Sequence, residues 1–269
     1  FQLAYERDPS DASAREGILD TQLRLRLYRD FTEHMARDEF FAVAEGYERA
    51  TYFAKTRQWG PLLISVFRWE TSGLVWYLAL AALVTGLCWL IFILHAGRAG
   101  GWNTTEQALV PVAFLLGIFS TYLTIFAIWV TDEFIPFDRL APTMINNIIH
   151  MTAGVALREE LLKLLCFAPL AFVPGRGRDT QMLVLASIVG LGFAAAENYS
   201  YYVDAGSIAV LGRFLTANFL HMALTGIAGF AFARAVTYGG ERWADFLEAF
   251  GLAVLIHGIY NFLLSDQTV

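Results

Sequence analysis

Two apolar runs, Gly73–Leu94 and Ala108–Val130, are each about 22 residues long, enough to cross a hydrocarbon core of roughly 30 Å as helix. Further apolar stretches, separated by short polar links, extend the pattern to six predicted spans: about 73–95, 108–131, 143–173, 182–203, 208–236 and 243–264. The expected fold class is therefore all-α, a polytopic membrane protein built as a bundle of six transmembrane helices. The third span is long and carries Pro169 near its end, which predicts a kink, a tilt, or a part lying outside the lipid.

Residues 1–68 follow another pattern. They hold 10 of the 19 Lys and Arg and 11 of the 25 Asp and Glu, so this quarter of the chain is expected to be a wet helical extension ahead of a membrane domain at 69–269. Asp20 or Thr21 is the expected cap of a helix with Leu23, Leu27, Phe31 and Met35 on one face. Asp38 is the expected cap of another, with Phe41, Ala44, Tyr47 and Tyr52. The stretch "AYERDPSDASAREGIL" (Ala4–Leu19) resembles the joint between tetratricopeptide repeats, and a generic amphipathic hairpin fits it equally.

Composition agrees with the spans: 57% of residues are hydrophobic, 16% are charged, and the mean hydropathy is +0.49. A net charge of −6 leaves no footprint for nucleic acid. Cys88 and Cys166 both fall inside apolar helices, where a disulfide framework is not expected. With Phe1 rather than Met at its head and no leader behind it, the chain is expected to be a fragment. Arg98, Arg139, Arg176, Arg178, Arg213, Arg234 and Arg242 near the short links do not settle membrane orientation once Lys55, Arg57 and Arg68 are counted.

Charges inside the spans change the picture. "REELLK" puts Glu159, Glu160 and Lys163 in the third span. "GFAAAENYSYY" puts Glu197 and Asn198 in the fourth, "NFLHMALTG" puts His221 and Thr225 in the fifth, and "LIHGIYN" puts His257 and Asn261 in the sixth. Counted from one membrane side along spans of alternating direction, Glu159, Glu197, His221 and His257 each lie about 21–23 Å in, at 1.5 Å per residue. Ionisable groups at that depth are costly and face an interior or a cavity.

A layer of two imidazoles and several carboxylates suits a hydrolytic zinc site, commonly His₂Glu with one open position. Glu197, His221 and His257 are the expected ligands, and Glu159 or Glu160 the expected general base. Lys163, at i+4 from Glu159 and i+3 from Glu160, can neutralise whichever shares its face. Asn261, one turn beyond His257, can orient a ring or donate to a carbonyl oxygen as charge develops there.

"EELLK" (Glu159–Lys163), "FAAAEN" (Phe193–Asn198), "HMALT" (His221–Thr225) and "HGIYN" (His257–Asn261) resemble the motifs of the PrsW family of intramembrane proteases. They resemble more distantly those of the CAAX-prenyl protease and bacteriocin-processing superfamily. Order and spacing fit across residues 143–264. The resemblance implies a membrane-embedded metalloprotease of a bacterial inner membrane that cuts a membrane-anchored protein such as an anti-sigma factor. Glu197, where CAAX-type enzymes carry His, favours the PrsW branch. A metal-free water activated by Glu and His is the alternative chemistry. A proton- or cation-coupled transporter and a scaffold whose N-terminal helices recruit a partner are the rival classes.

Overall fold

The computed structural model describes residues 1–71, 74–97, 101–137, 141, 143–173, 178–205 and 207–265. Arg98, Arg139 and Arg176, counted above for orientation, lie outside the described residues. Among the described residues the regular structure is all helical. The chain divides into two compact units: Phe1–Gly73 with Ile125–Pro136, and Leu74–Thr124 with Phe137–Val269.

The first unit begins with helices α1 (Gln2–Arg7), α2 (Ala12–Arg24), α3 (Tyr28–Met35), α4 (Asp38–Val43), α5 (Gly46–Lys55) and α6 (Trp59–Thr71). Asp11, not Asp20 or Thr21, caps α2: its carboxylate accepts from the backbone N–H of Ser13 at 2.9 Å and of Ala14 at 3.3 Å. Asp20 lies inside that helix and binds Arg24 Nε at 2.8 Å. The continuous helix expected through Leu23, Leu27 and Phe31 breaks at Arg26, where φ is +56° and the Leu27 N–H closes back on the Gln22 carbonyl at 2.8 Å. Arg57 repeats this turn between α5 and α6, with Gln58 N–H on the Phe53 carbonyl at 2.8 Å. Asp38 is the first residue of α4 rather than its cap, and the helix expected beyond it stops at Ala44. There Glu45 and Glu48 form a capping box that starts α5.

Two small cores result. One gathers Ile18, Leu19, Phe31, Met35 and Phe40. The other gathers Ala50, Ala54, Leu62 and Val66 against Ile125, Phe126 and Trp129. Lys55 reaches Glu133 at 2.5 Å with both side chains mostly covered.

The second unit contains α7 (Trp76–Ala96), the start of α8 (Thr104–Asp132), α9 (Met144–Ile149), α10 (Leu157–Ala171), α11 (Arg178–Ala205), α12 (Ser207–Leu215), α13 (Ala217–Tyr238) and α14 (Arg242–Ser265). Among the described residues five stretches are long and apolar enough to cross a membrane: Trp76–Ala96, Thr104–Asp132, Asp179–Val203, Val210–Tyr238 and Arg242–Ser265. The third expected span differs. Its helix widens into a π-helical stretch at His150–Ala156, and α10 after it has only 15 residues and carries Arg158, Glu159, Glu160 and Lys163, too short and too charged to cross a membrane by itself. Wide turns of this kind recur at functional sites.

Helix α11 is the axis of this unit. Of its most apolar window 78% is buried, against 11% for α7 and 28% for α8. The small residues of "ASIVGLGFAAAEN" permit this, because helices meeting in lipid gain by close approach of their backbones. Gly190 and Gly192 show it: a Cβ on the first would overlap the backbone carbonyl of His221 on α13, and one on the second that of Phe114 on α8. The outer surfaces of α7 and α8 expose Leu80, Leu83, Ile91, Phe92, Leu115 and Phe119, as lipid-facing helices do.

Candidate functional site

Four elements deliver the ionisable groups: α10 supplies Glu159, Glu160 and Lys163, α11 Glu197, α13 His221, and α14 His257. Lys163 is fully buried, and Glu159, Glu160, His221 and His257 are nearly so. The two imidazole centroids are 4.9 Å apart with rings at 89°.

Glu160 is saturated with partners. Its Oε1 accepts from Lys163 Nζ at 2.6 Å and meets His257 Nδ1 at 2.8 Å, and its Oε2 accepts from Thr225 Oγ1 at 3.3 Å. Lys163 Nζ also lies 3.0 Å from His221 Nδ1, 4.0 Å from Glu159 Oε2, and over the Phe193 ring at 4.3 Å. A lysine ammonium can only donate, so His221 Nδ1 accepts from it here and Nε2 carries the ring proton; holding a metal through Nε2 would release that proton. That Nε2 faces Glu197 Oε2 at 3.0 Å. Glu160 fixes His257 in the opposite tautomer: Nδ1–H donates to the carboxylate, and Nε2 keeps its lone pair.

Glu159 stands apart from this pairing. Its Oε2 and His257 Nε2 are 3.5 Å apart, both buried, and neither has a hydrogen-bond partner among the described residues. Ligand atoms from Glu159, His221 and His257 all lie within 4.8 Å of one another. A tetrahedral ion with bonds of about 2.1 Å has ligand-to-ligand edges of about 3.4 Å, so the two orphaned atoms are spaced as two ligands of one ion would be. The charge balance agrees. Three carboxylates (Glu159, Glu160, Glu197) against two cations (Lys163, Arg213) leave −3 + 2 = −1 when all are ionised and the imidazoles are neutral. The residues present fit a divalent metal.

The sequence placed Glu197 among the ligands. In the structure its carboxylate is shared between His221 and Arg213, which donates to Glu197 Oε2 and, through Nε at 2.5 Å, to Asn198 Oδ1. Asn198 in turn donates to Asn218 Oδ1 at 2.8 Å. Glu197 has the most open side chain of the three, 20% exposed against 8% for Glu159 and 1% for Glu160. Asn261 is half-buried one turn beyond His257, and no hydrogen bond ties its side chain to the cluster among the described residues. Arg213 was weighed in the sequence only for orientation. The usable signal was electrostatic: it lies near the start of the fifth expected span, across the short link from Glu197, which otherwise lacked a counter-ion.

Fold and site together define a polytopic membrane protein with a buried Glu/His/His group on helices that enclose it. Residues 105–269 match the model of a family described as PrsW family intramembrane metalloprotease, and the chain belongs to that family. A curated relative, Protease PrsW of Oceanobacillus iheyensis, is 34% identical over 115 residues, covering 41% of this chain and 52% of the relative. The chain thus spans about half the length of that relative. No solved structure matches it.

Proposed function

We propose that the chain is an intramembrane metallopeptidase that hydrolyses a peptide bond of a membrane-anchored protein. The observation that carries the reading is the orphaned pair Glu159 Oε2 and His257 Nε2, 3.5 Å apart beside His221 on three different helices. Family membership and the relative's name as a protease favour this over transport.

Glu159, His221 and His257 would hold the ion, with zinc the metal that suits a His/His/Glu donor set. When bound, it supplies Lewis acidity that polarises a carbonyl and makes water a better nucleophile at neutral pH. The rest is done by side chains. Glu160 fixes the His257 ring, and Lys163 holds Glu160 and His221. Glu197, the most open carboxylate, takes the proton of the attacking water and returns it to the leaving amine. Arg213 keeps that carboxylate aimed. Asn261 donates to the carbonyl oxygen as charge builds on it. An anti-sigma-factor-like substrate in a bacterial inner membrane is the setting that the motif resemblance suggests, and the N-terminal helices are the surface to receive a partner or select a substrate.

One contact favours a second assignment, with Glu197 as ligand and Glu159 as base: His221 Nε2 lies only 3.0 Å from Glu197. Metal content separates the two. Glu159→Gln is expected to lose both metal and cleavage, whereas Glu197→Gln keeps the metal and loses cleavage. The reverse pattern selects the second assignment. Full metal loading in a His221→Ala, His257→Ala double variant would remove the metal site altogether.

A further inference from the structure

The first unit contains a cavity of about 530 Å³ that has no part in the chemistry above. Helices α4, α5 and α6 wall it, with Phe41, Phe53, Ile64 and Trp69 as its main apolar surface. Two arginines, Arg49 and Arg68, stand in that wall, and neither meets a carboxylate among the described residues. Arg49 lies over the Phe41 ring at 5.1 Å and donates one weak bond to the Phe41 carbonyl at 3.3 Å. Its Nε is buried with no partner. A guanidinium carries five donors, so most of the donor capacity of the pair is unspent.

The same unit shows where this cavity stands. Ile125–Pro136 belongs to it, and α8, which ends at Asp132, is one of the stretches able to cross a membrane. Phe53, in the cavity wall, shares an apolar cluster with Ile125, Phe126 and Trp129 of α8. Tyr47 bridges the cavity residue Trp69 (5.9 Å between centroids) to Trp129 (5.3 Å). Trp129 is one turn from the end of α8, the position at which Trp marks a membrane–water boundary. Beside the cavity α6 exposes Leu63, Ile64 and Phe67. An apolar chamber at headgroup level, with two arginines that meet no carboxylate among the described residues, fits one class of ligand.

We propose that this cavity binds the headgroup and upper acyl region of an anionic phospholipid, with Arg49 and Arg68 on the phosphate and the aromatic wall on the chains. Guanidinium matches phosphate oxygens bidentately, and anionic leaflets concentrate such lipids beside basic residues.

The test uses the full chain in nanodiscs of equimolar phosphatidylglycerol and phosphatidylcholine, released and weighed by native mass spectrometry. Phosphatidylglycerol is expected to be retained in preference, and an Arg49→Gln, Arg68→Gln double variant to lose that preference by about tenfold or more, the value of a charge-assisted hydrogen bond. Arg24→Gln, which breaks an exposed pair with Asp20 away from the cavity wall, is expected to change nothing. If the double variant fails to fold, Ser65→Trp decides. It fills the chamber, leaves both arginines, and should abolish retention. Equal retention of the two lipids, an unchanged preference in the folded double variant, or unchanged retention in Ser65→Trp overturns the proposal. Displacement of the lipid by millimolar inorganic phosphate also overturns it, since the site would then read a free anion.

Discussion

Replacing Lys163 by Met should expose how this buried cluster is held together. The ammonium is wholly enclosed, 2.6 Å from Glu160 and 4.0 Å from Glu159. At an effective dielectric near 20 those separations correspond to attractions of about 6 and about 4 kcal/mol, before the cost of burying the charges is subtracted. Met keeps the volume but removes both attractions and the donor to His221. The net loss expected from stranding one partner of a buried pair is about 3–5 kcal/mol. Glu160→Gln alone should cost a similar amount, because it weakens the grip on both Lys163 and His257. The double variant then decides: with no charge stranded between the two positions, its loss should fall short of the sum of the single losses by at least about 2 kcal/mol. Reversible unfolding of the purified chain in mixed micelles, with helicity followed by circular dichroism, supplies all four corners of the cycle. A coupling below about 0.5 kcal/mol would refute the pairing, and with it the view that Lys163 positions the carboxylate and imidazole of the site.

Three further outcomes follow from the same geometry. Gly190→Ala drives a Cβ into the His221 carbonyl, backbone against side chain with no rotamer to relieve it, so unfolding should come about 1–3 kcal/mol sooner and metal retention should fall. Arg213→Gln removes the charge that aims Glu197 while leaving Glu159, His221 and His257 untouched. Metal content should hold while cleavage of a membrane-anchored test substrate falls at least tenfold, and a fall in both would place Arg213 in metal retention instead. Asp11→Ala deletes the cap of α2 and should cost about 1 kcal/mol in the N-terminal helices with no effect on bound metal.

The meeting of Glu159, Glu197, His221 and His257 was legible because helical rise is fixed: residues at matched distances along neighbouring helices fall side by side. Azimuth follows less surely from spacing. Glu159 and Glu160 were known to diverge by about 100° around their helix. Which of them would be enclosed by His257, Lys163 and Thr225 depended on how α10 rotates after the π-helical stretch, and "HMTAGVA" carries no pattern that announces such a stretch. The partner of Glu197 was not legible for a similar reason. This counter-ion comes from α12, a short helix that the apolar pattern merged with the span after it. In the N-terminal unit the helix starts were misplaced because Asp11, Asp20 and Asp38 all look like caps. Only the turns at Arg26 and Arg57, where residues other than glycine take a left-handed backbone, show where the helices end.

The widened turn at His150–Ala156 also separates two design problems. A wide turn holds one more residue than an ordinary one, so the segment ahead of it and the carboxylates behind it need not obey one rotational register. Insertions or losses there can re-aim Asn146 and Asn147, the latter donating to Ser265 at 3.3 Å, without altering the spacing of Glu159, Glu160 and Lys163. The segment ahead of the wide turn can therefore change its aim while the spacing of the carboxylates behind it stays constant.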